Sequence, residues 1–182
     1  FFTLGASLVI AASNMHQMTA EWERTTILNA EYALQTAASA IRRDVDEIDD
    51  LAGWCAYNPG MRTYLLTGDT ASNLPGTDRT AHVCIFVSPS LILSPLRSFT
   101  LADGGQLYWE MGENLYTING SLLSALNGSI ADFDDAVPLD SNTLDPNTEV
   151  YTRGSGSSAQ LVVRYPIGIH ELYLIEVLPN GP

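Results

Sequence analysis

From Glu21 onward, apolar side chains return at the spacing of an α-helix. Trp22, Ile27, Ala30, Leu34, Ala37, Ile41, Val45, Ile48 and Ala52 form the stripe, and from Ala30 the steps are 4, 3, 4, 4, 3 and 4. The opposite face is polar and carries Glu31, Gln35, Arg42, Arg43, Asp46, Glu47, Asp49 and Asp50. Ahead of this stretch, residues 1–12 (FFTLGASLVIAA) bear no charge, and residues 13–18 (SNMHQM) are polar or soft. No proline precedes Pro59, and no glycine lies between Gly5 and Gly53. The spacing predicts one helix of about 50 residues, a rod of roughly 75–80 Å. Gly53 is its predicted stop, followed by a turn at Asn58-Pro59-Gly60.

A helix that long exceeds what a small domain covers, so its apolar tip needs a partner, either lipid or copies of itself. As helix, the tip spans ~18 Å against a hydrocarbon core of ~30 Å, which makes it a poor membrane span alone. Three readings of the tip stand side by side. It is the remnant of a signal peptide, a buried core helix, or the end of a subunit stored in a membrane and later buried in a filament. The chain opens on Phe1 with no basic stretch before the apolar run, so no further cleavable signal is expected.

Beyond Met61 the period shortens and turn residues multiply. Residues 61–67 (MRTYLLT) and 81–87 (AHVCIFV) read as strands. Residues 106–110 (QLYWE) and 115–118 (LYTI) read as a hairpin around 111–114. Residues 121–126 fit a helical turn or a strand. A long acidic loop is predicted over 131–149 and a flexible stretch over 153–158. The chain closes on a hairpin, 159–167 (AQLVVRYPI) and 171–178 (ELYLIEVL), turning near Gly168, with Pro166 at an edge or a strand end. No β-α-β alternation is visible. The expected class is α+β. An N-terminal helix over 1–53 packs its second half against an antiparallel, β-rich head over 54–182.

Composition narrows the function. The 182 residues are 46% hydrophobic, which suits a folded domain with an extension. Asp and Glu number 21 against 8 Lys and Arg, a formal charge of -13, and every basic residue is Arg. Such a surface repels phosphates, so no nucleic-acid partner is expected. It tolerates high salt, which screens self-repulsion. Few lysines beside many aspartates resembles the composition of proteins from salt-loving archaea.

Candidate chemistry is sparse. G-x-S-x-G, P-loop, G-x-G-x-x-G and H-E-x-x-H patterns are absent. His16, His82 and His170 stand far apart and make no metal set. Asp132, Asp134, Asp135, Asp140, Asn142, Asp145, Asn147 and Glu149 supply oxygens at alternate positions, as Ca²⁺ requires. The EF-hand pattern fails, however, because Leu144 takes a ligand position and no glycine follows it. A solvated acidic loop is the simpler reading. Carboxylate pairs suited to glycoside hydrolysis arise by chance in so acidic a chain. Neither an enzyme activity nor a cofactor is expected. Asn119 and Asn127 each open an Asn-Gly-Ser sequon, an acceptor in an exported chain, although Asn-Gly is also a turn in its own right. Cys55 and Cys84 lack zinc or thioredoxin spacing. In an exported chain they are expected to pair as a disulfide, the alternative being two separate thiols.

The opening Phe1-Phe2-Thr3-Leu4 and the apolar run after it resemble the start of a mature type IV pilin or archaeal pilin-like protein. The likeness covers roughly the first 50 residues. Bacterial type IV pilins usually carry Glu at the fifth mature position; Gly5 stands here, which directs the likeness toward archaeal pilin-like subunits. The resemblance implies a short basic leader removed before Phe1. It further implies storage in the membrane and then polymerisation outside the cell, at the surface. Phe1, Phe2, Leu4, Leu8, Val9 and Ile10 would form the filament core, with the subunit itself as partner and a surface or cell target as a further one. Two alternatives remain. One is a receptor's extracytoplasmic sensory domain, from the stretch 56–69 (AYNPGMRTYLLTGD). The other is a minor pilin-like initiator or adhesin.

Overall fold

The computed structural model describes residues 2–61, 64, 84–101, 104–119, 122–129, 135–139, 145–155, 158–169 and 171–179. For 2–11, 89, 98, 119 and 122–129 the description is of the backbone alone. The first element, α1, is a 56-residue helix, Phe2–Tyr57. It runs past the predicted stop, since one glycine inside a helix costs only about 1 kcal/mol. The break comes at Asn58. A residue ahead of proline is disfavoured in the helical region. The Asn58 Oδ1 also accepts hydrogen bonds from the Gly60 and Met61 N–H groups at 3.0 and 3.1 Å. Asn58 thereby caps a fresh helical start, and residues 59–61 and 64 are helical. Of the strand expected over 61–67, both described residues, Met61 and Tyr64, are therefore helix. Of the strand expected over 81–87, residues 84–87 form no regular structure and 81–83 lie outside the described residues.

A short helix α2 (Pro89–Ile92) and a 3-10 turn (Ser94–Ser98) lead into seven strands. These are β1 (Gln106–Met111), β2 (Asn114–Asn119), β3 (Leu122–Ser129), β4 (Val137–Pro138), β5 (Glu149–Arg153), β6 (Gln160–Pro166) and β7 (Leu172–Pro179). They form one sheet in the order β3-β2-β1-β7-β6-β5-β4, antiparallel at every step. The α+β class is as expected. Two meanders, β1–β3 and β4–β7, join along the β1–β7 ladder, so the last strand sits in the middle. Both predicted hairpins form. Gly112 and Gly168 turn them with φ of 58° and 82°, a region side chains disfavour. Pro166 ends β6, and the next residue, Ile167, donates its N–H to the Leu172 carbonyl at 2.9 Å. Of residues 121–126, those from Leu122 on belong to β3, and 121 lies outside the described residues. Short strands β4 and β5 interrupt the acidic stretch expected as continuous loop.

Alternation places two sets of side chains on opposite faces of the sheet. One face meets α1: Leu161, Val163, Leu174 and Leu178 pack with Ile27, Ala30, Leu34, Ala37, Ala38 and Ile41, and Leu107, Trp109, Val150, Leu93 and Leu96 complete the core. Trp22 and Val45 mark the ends of the contact as partly buried flanks. The buried positions, Ile27 to Ile41, lie in the second half of the predicted 1–53 helix as expected, but the contact ends at Val45, so the full 2–57 helix is held near its middle. The other face carries a smaller buried cluster of Leu115, Val162, Ile175 and Val177, flanked by Tyr108 and Tyr151.

Candidate assembly surface

Because α1 is gripped at its middle, both ends lack cover from the sheet. Every residue from 12 to 20 is exposed, Met15 and Met18 at 71% each. At ~1.5 Å per residue, residues 2–20 run ~27 Å along the helix axis before the first head contact. Phe2, Leu4, Leu8, Val9 and Ile10 all lie in this helical stretch, and Phe1 lies outside the described residues. Among the described residues, no helix is long and apolar enough to cross a membrane. The far end is also bare. Leu51, Trp54 and Tyr57 are exposed at 53, 59 and 87%.

Two polar arrangements stand out, one that ties the head to this rod and one within the sheet. Glu31, assigned to the solvent face by its position, is instead buried at 7% exposure. Its Oε1 accepts hydrogen bonds from the Asp145 N–H at 2.6 Å and the Thr148 hydroxyl at 2.8 Å. The Asp145 carboxylate turns inward on its own loop and accepts from the Asn147 N–H and Nδ2, both at 2.8 Å. A carboxylate that finds two donors can be buried without leaving its charge unsolvated. One helical turn on, burial, and then the Asp145 charge, raise the Tyr165 hydroxyl despite its hydrogen bond to Gln35.

The second arrangement lies on the sheet face away from α1. Arg164 on β6 grips Glu110 on β1 with two hydrogen bonds, Nε to Oε2 and Nη2 to Oε1, each 2.7 Å. Its Nη1 reaches Glu149 on β5 at 2.6 Å, and its guanidinium lies 3.4 Å from the centre of the Tyr173 ring. Glu110 is 4% exposed, so the fork-to-fork pair is largely dry. Tyr151 donates to Glu149 at 2.7 Å. Burial works to raise the Glu149 carboxyl, but the hydrogen bonds from Tyr151 and Arg164 prevail and lower it. Burial and the Glu149 carboxylate push the Tyr151 hydroxyl up to about 12. The Arg164 side chain is raised against its own burial by its two carboxylate partners. Every named group here is engaged with a neighbour, which suits a structural tie across three strands. Sequence reasoning missed it; the alternation of Tyr, Arg and Glu on β5 and β6 was its only signal.

The other sequence candidates do not gather. Cys55 and Cys84 are both free, the first half-buried on the last turns of α1 and the second exposed, so the expected disulfide is not formed. Sequence context alone does not bring two Cα atoms within the ~4.4–6.8 Å a bridge needs. Asn119 is the last residue of β2, and Asn127 lies on β3. There Leu115 pairs with Gly128 and Tyr116 with Ala125, leaving Leu126 and Asn127 as a bulge. Asn127-Gly128 is thus a strand irregularity and not a turn. His16 is exposed on α1, while His82 and His170 lie outside the described residues. No group of His, Cys, Asp or Glu able to hold a metal occurs among the described residues. Asp132, Asp134, Asp140 and Asn142 fall outside them, and Asp135 pairs with Arg153 at 3.1 Å. A groove of about 490 Å³ runs between α1 and the 94–100 segment, with Thr36, Ala37 and Ala40 on its floor and Tyr32, Arg43 and Phe99 at its sides.

Comparison with protein-family models, with curated proteins and with solved structures finds no match.

Proposed function

We propose that this chain is a structural subunit of an extracellular, type IV pilus-like filament, polymerising through its N-terminal helix. One observation carries the reading: α1 begins some twenty residues ahead of the first described side chain that packs on the head, in a stretch whose sequence bears no charge and whose described side chains, 12–20, are exposed. Isolated helical stretches are marginal in water, and apolar ones associate. A bundle of such tips would stabilise them by roughly 1.5–3 kcal/mol for each large apolar side chain removed from water. The acidic heads would face outward. In this reading the membrane holds the tip before assembly, the partner in the filament is the chain itself, and no catalysis is involved.

Electron microscopy of the purified chain is the direct test. Filaments are expected in detergent-free buffer. A monodisperse monomer that keeps residues 1–20 would refute the reading. Leu8→Asp and Ile10→Asp should each abolish filaments while leaving the circular dichroism and unfolding midpoint of the head unchanged, because an unpaired carboxylate is costly inside a helix bundle.

A further inference from the structure

The exposed apolar residues of α1 lie at both ends of the rod. At the far end, Leu51, Trp54, Tyr57, Met61 and Tyr64 recur at steps of 3, 3, 4 and 3 across the Asn58 cap, and all are exposed, from 36 to 87%. At 100° per residue, Leu51, Trp54 and Tyr57 fall on the side of α1 turned away from the buried stripe of Leu34, Ile41 and Val45. No part of this subunit's core uses them. The residues leading up to the stripe are acidic: Asp46, Glu47, Asp49 and Asp50. The near end is its chemical opposite number. Residues 1–20 contain no charged side chain in a chain of net charge -13.

We infer that the stripe Leu51–Trp54–Tyr57, continued by Met61 and Tyr64, is the docking surface for the N-terminal helix of a second copy of this chain. The inference rests on the filament reading and names the surface that receives the tip. Charge selects the occupant. Most of the acidic head would be repelled by the carboxylates beside the stripe, as would an anionic lipid surface, whereas residues 1–20 bring apolar surface without charge. Residues 51–57 cover about 9 Å along α1 before the Asn58 break, and Met61 and Tyr64 extend the surface beyond it, within reach of the ~27 Å that residues 2–20 span. Symmetry then decides the product. Two different patches on one molecule make a head-to-tail contact, which does not stop at a two-fold dimer and gives an open filament wherever the rotation between copies does not close a ring.

The test uses the full chain. The double variant Trp54→Glu, Tyr57→Glu changes exposed positions, so circular dichroism and the unfolding midpoint should match the unaltered protein. Filament yield should fall at least about ten-fold, because docking would bury two unpaired carboxylates. Unchanged yield would overturn this surface while leaving the filament reading standing; an unaltered chain that never polymerises would remove both. A benzophenone side chain placed at Trp54 gives a second readout independent of folding losses. In assembled material, its adducts should map to residues 1–20 of a neighbouring copy. Adducts confined to other segments would also overturn the assignment.

Discussion

Arg164 shows how one residue organises a face of the sheet. It satisfies two carboxylates on two other strands and covers a tyrosine ring, so its removal strands a charge that the fold has already desolvated. Arg164→Met is expected to cost about 3–5 kcal/mol, because Glu110 would stay buried without its partner. Urea unfolding at neutral pH measures it. The same cluster dictates the pH dependence. The Glu149 carboxyl is lowered in the fold, so its contribution is present above its unfolded pKa and is lost as pH falls through the folded one. Tyr151 acts at the other end of the scale. Its hydroxyl moves from 10.0 unfolded to about 12 folded, so its contribution is complete below pH 10 and disappears between 10 and 12. Unfolding midpoints measured from pH 3 to 12 should therefore fall at both extremes. Replacing Tyr151 with Phe should flatten the alkaline fall, and an unaltered alkaline limb would exclude Tyr151 as its source.

At the scale of elements, α1 was the most legible part of the molecule. Its apolar steps of three and four mark the core stripe from Ile27 to Ile41. Its end was misplaced because glycine only weakens a helix, whereas Asn58-Pro59 redirects it. Gly53 has nothing within 4 Å of where a Cβ would stand. Gly53→Ala should therefore strengthen the free end of α1 by roughly 0.5–1 kcal/mol. Hydrogen exchange of amides 50–57 should slow several-fold, and no slowing would mean that this end is held by something other than helix propensity. The hairpins β1–β2 and β6–β7 were legible because each pairs alternating apolar residues with a turn glycine. Short β4 and β5 were hidden in acidic sequence, since a strand held by its neighbours needs little propensity of its own. Glu31 misled for a related reason: periodicity assigns a face, but only the partner on the 145–148 loop makes burial of a carboxylate tolerable.

For the whole molecule, the class could be read from the sequence but the order of the sheet could not. Nothing along the chain says that the final strand enters between β1 and β6, because that choice belongs to contacts among distant segments. The helix grip stops at Val45, well short of the helix end at Tyr57, and so leaves apolar side chains exposed there. The candidate surface was half legible. The uncharged tip stands out in the sequence, while Trp54 and Tyr57 lie beyond the predicted stop at Gly53, so the stripe they form with Leu51 emerges only because α1 runs on to Tyr57. The paired cysteines illustrate the reverse error, where composition suggested a bond that the fold does not make.

The central position of β7 also sets a timetable for biosynthesis. A ribosome that has completed β1 supplies its first partner, β2, almost at once, but must add about 60 more residues before its second partner, β7, begins to emerge, some 3–12 s at ~5–20 residues per second. Through that interval β1 and, later, β6 each present an open edge, the template on which unrelated strands add. A nascent chain halted before residue 172 would thus consist of two half-sheets with no seam between them. Loss of the chain from residue 172 onward should be as damaging as a far earlier truncation, leaving an aggregation-prone product for the cell's proteases.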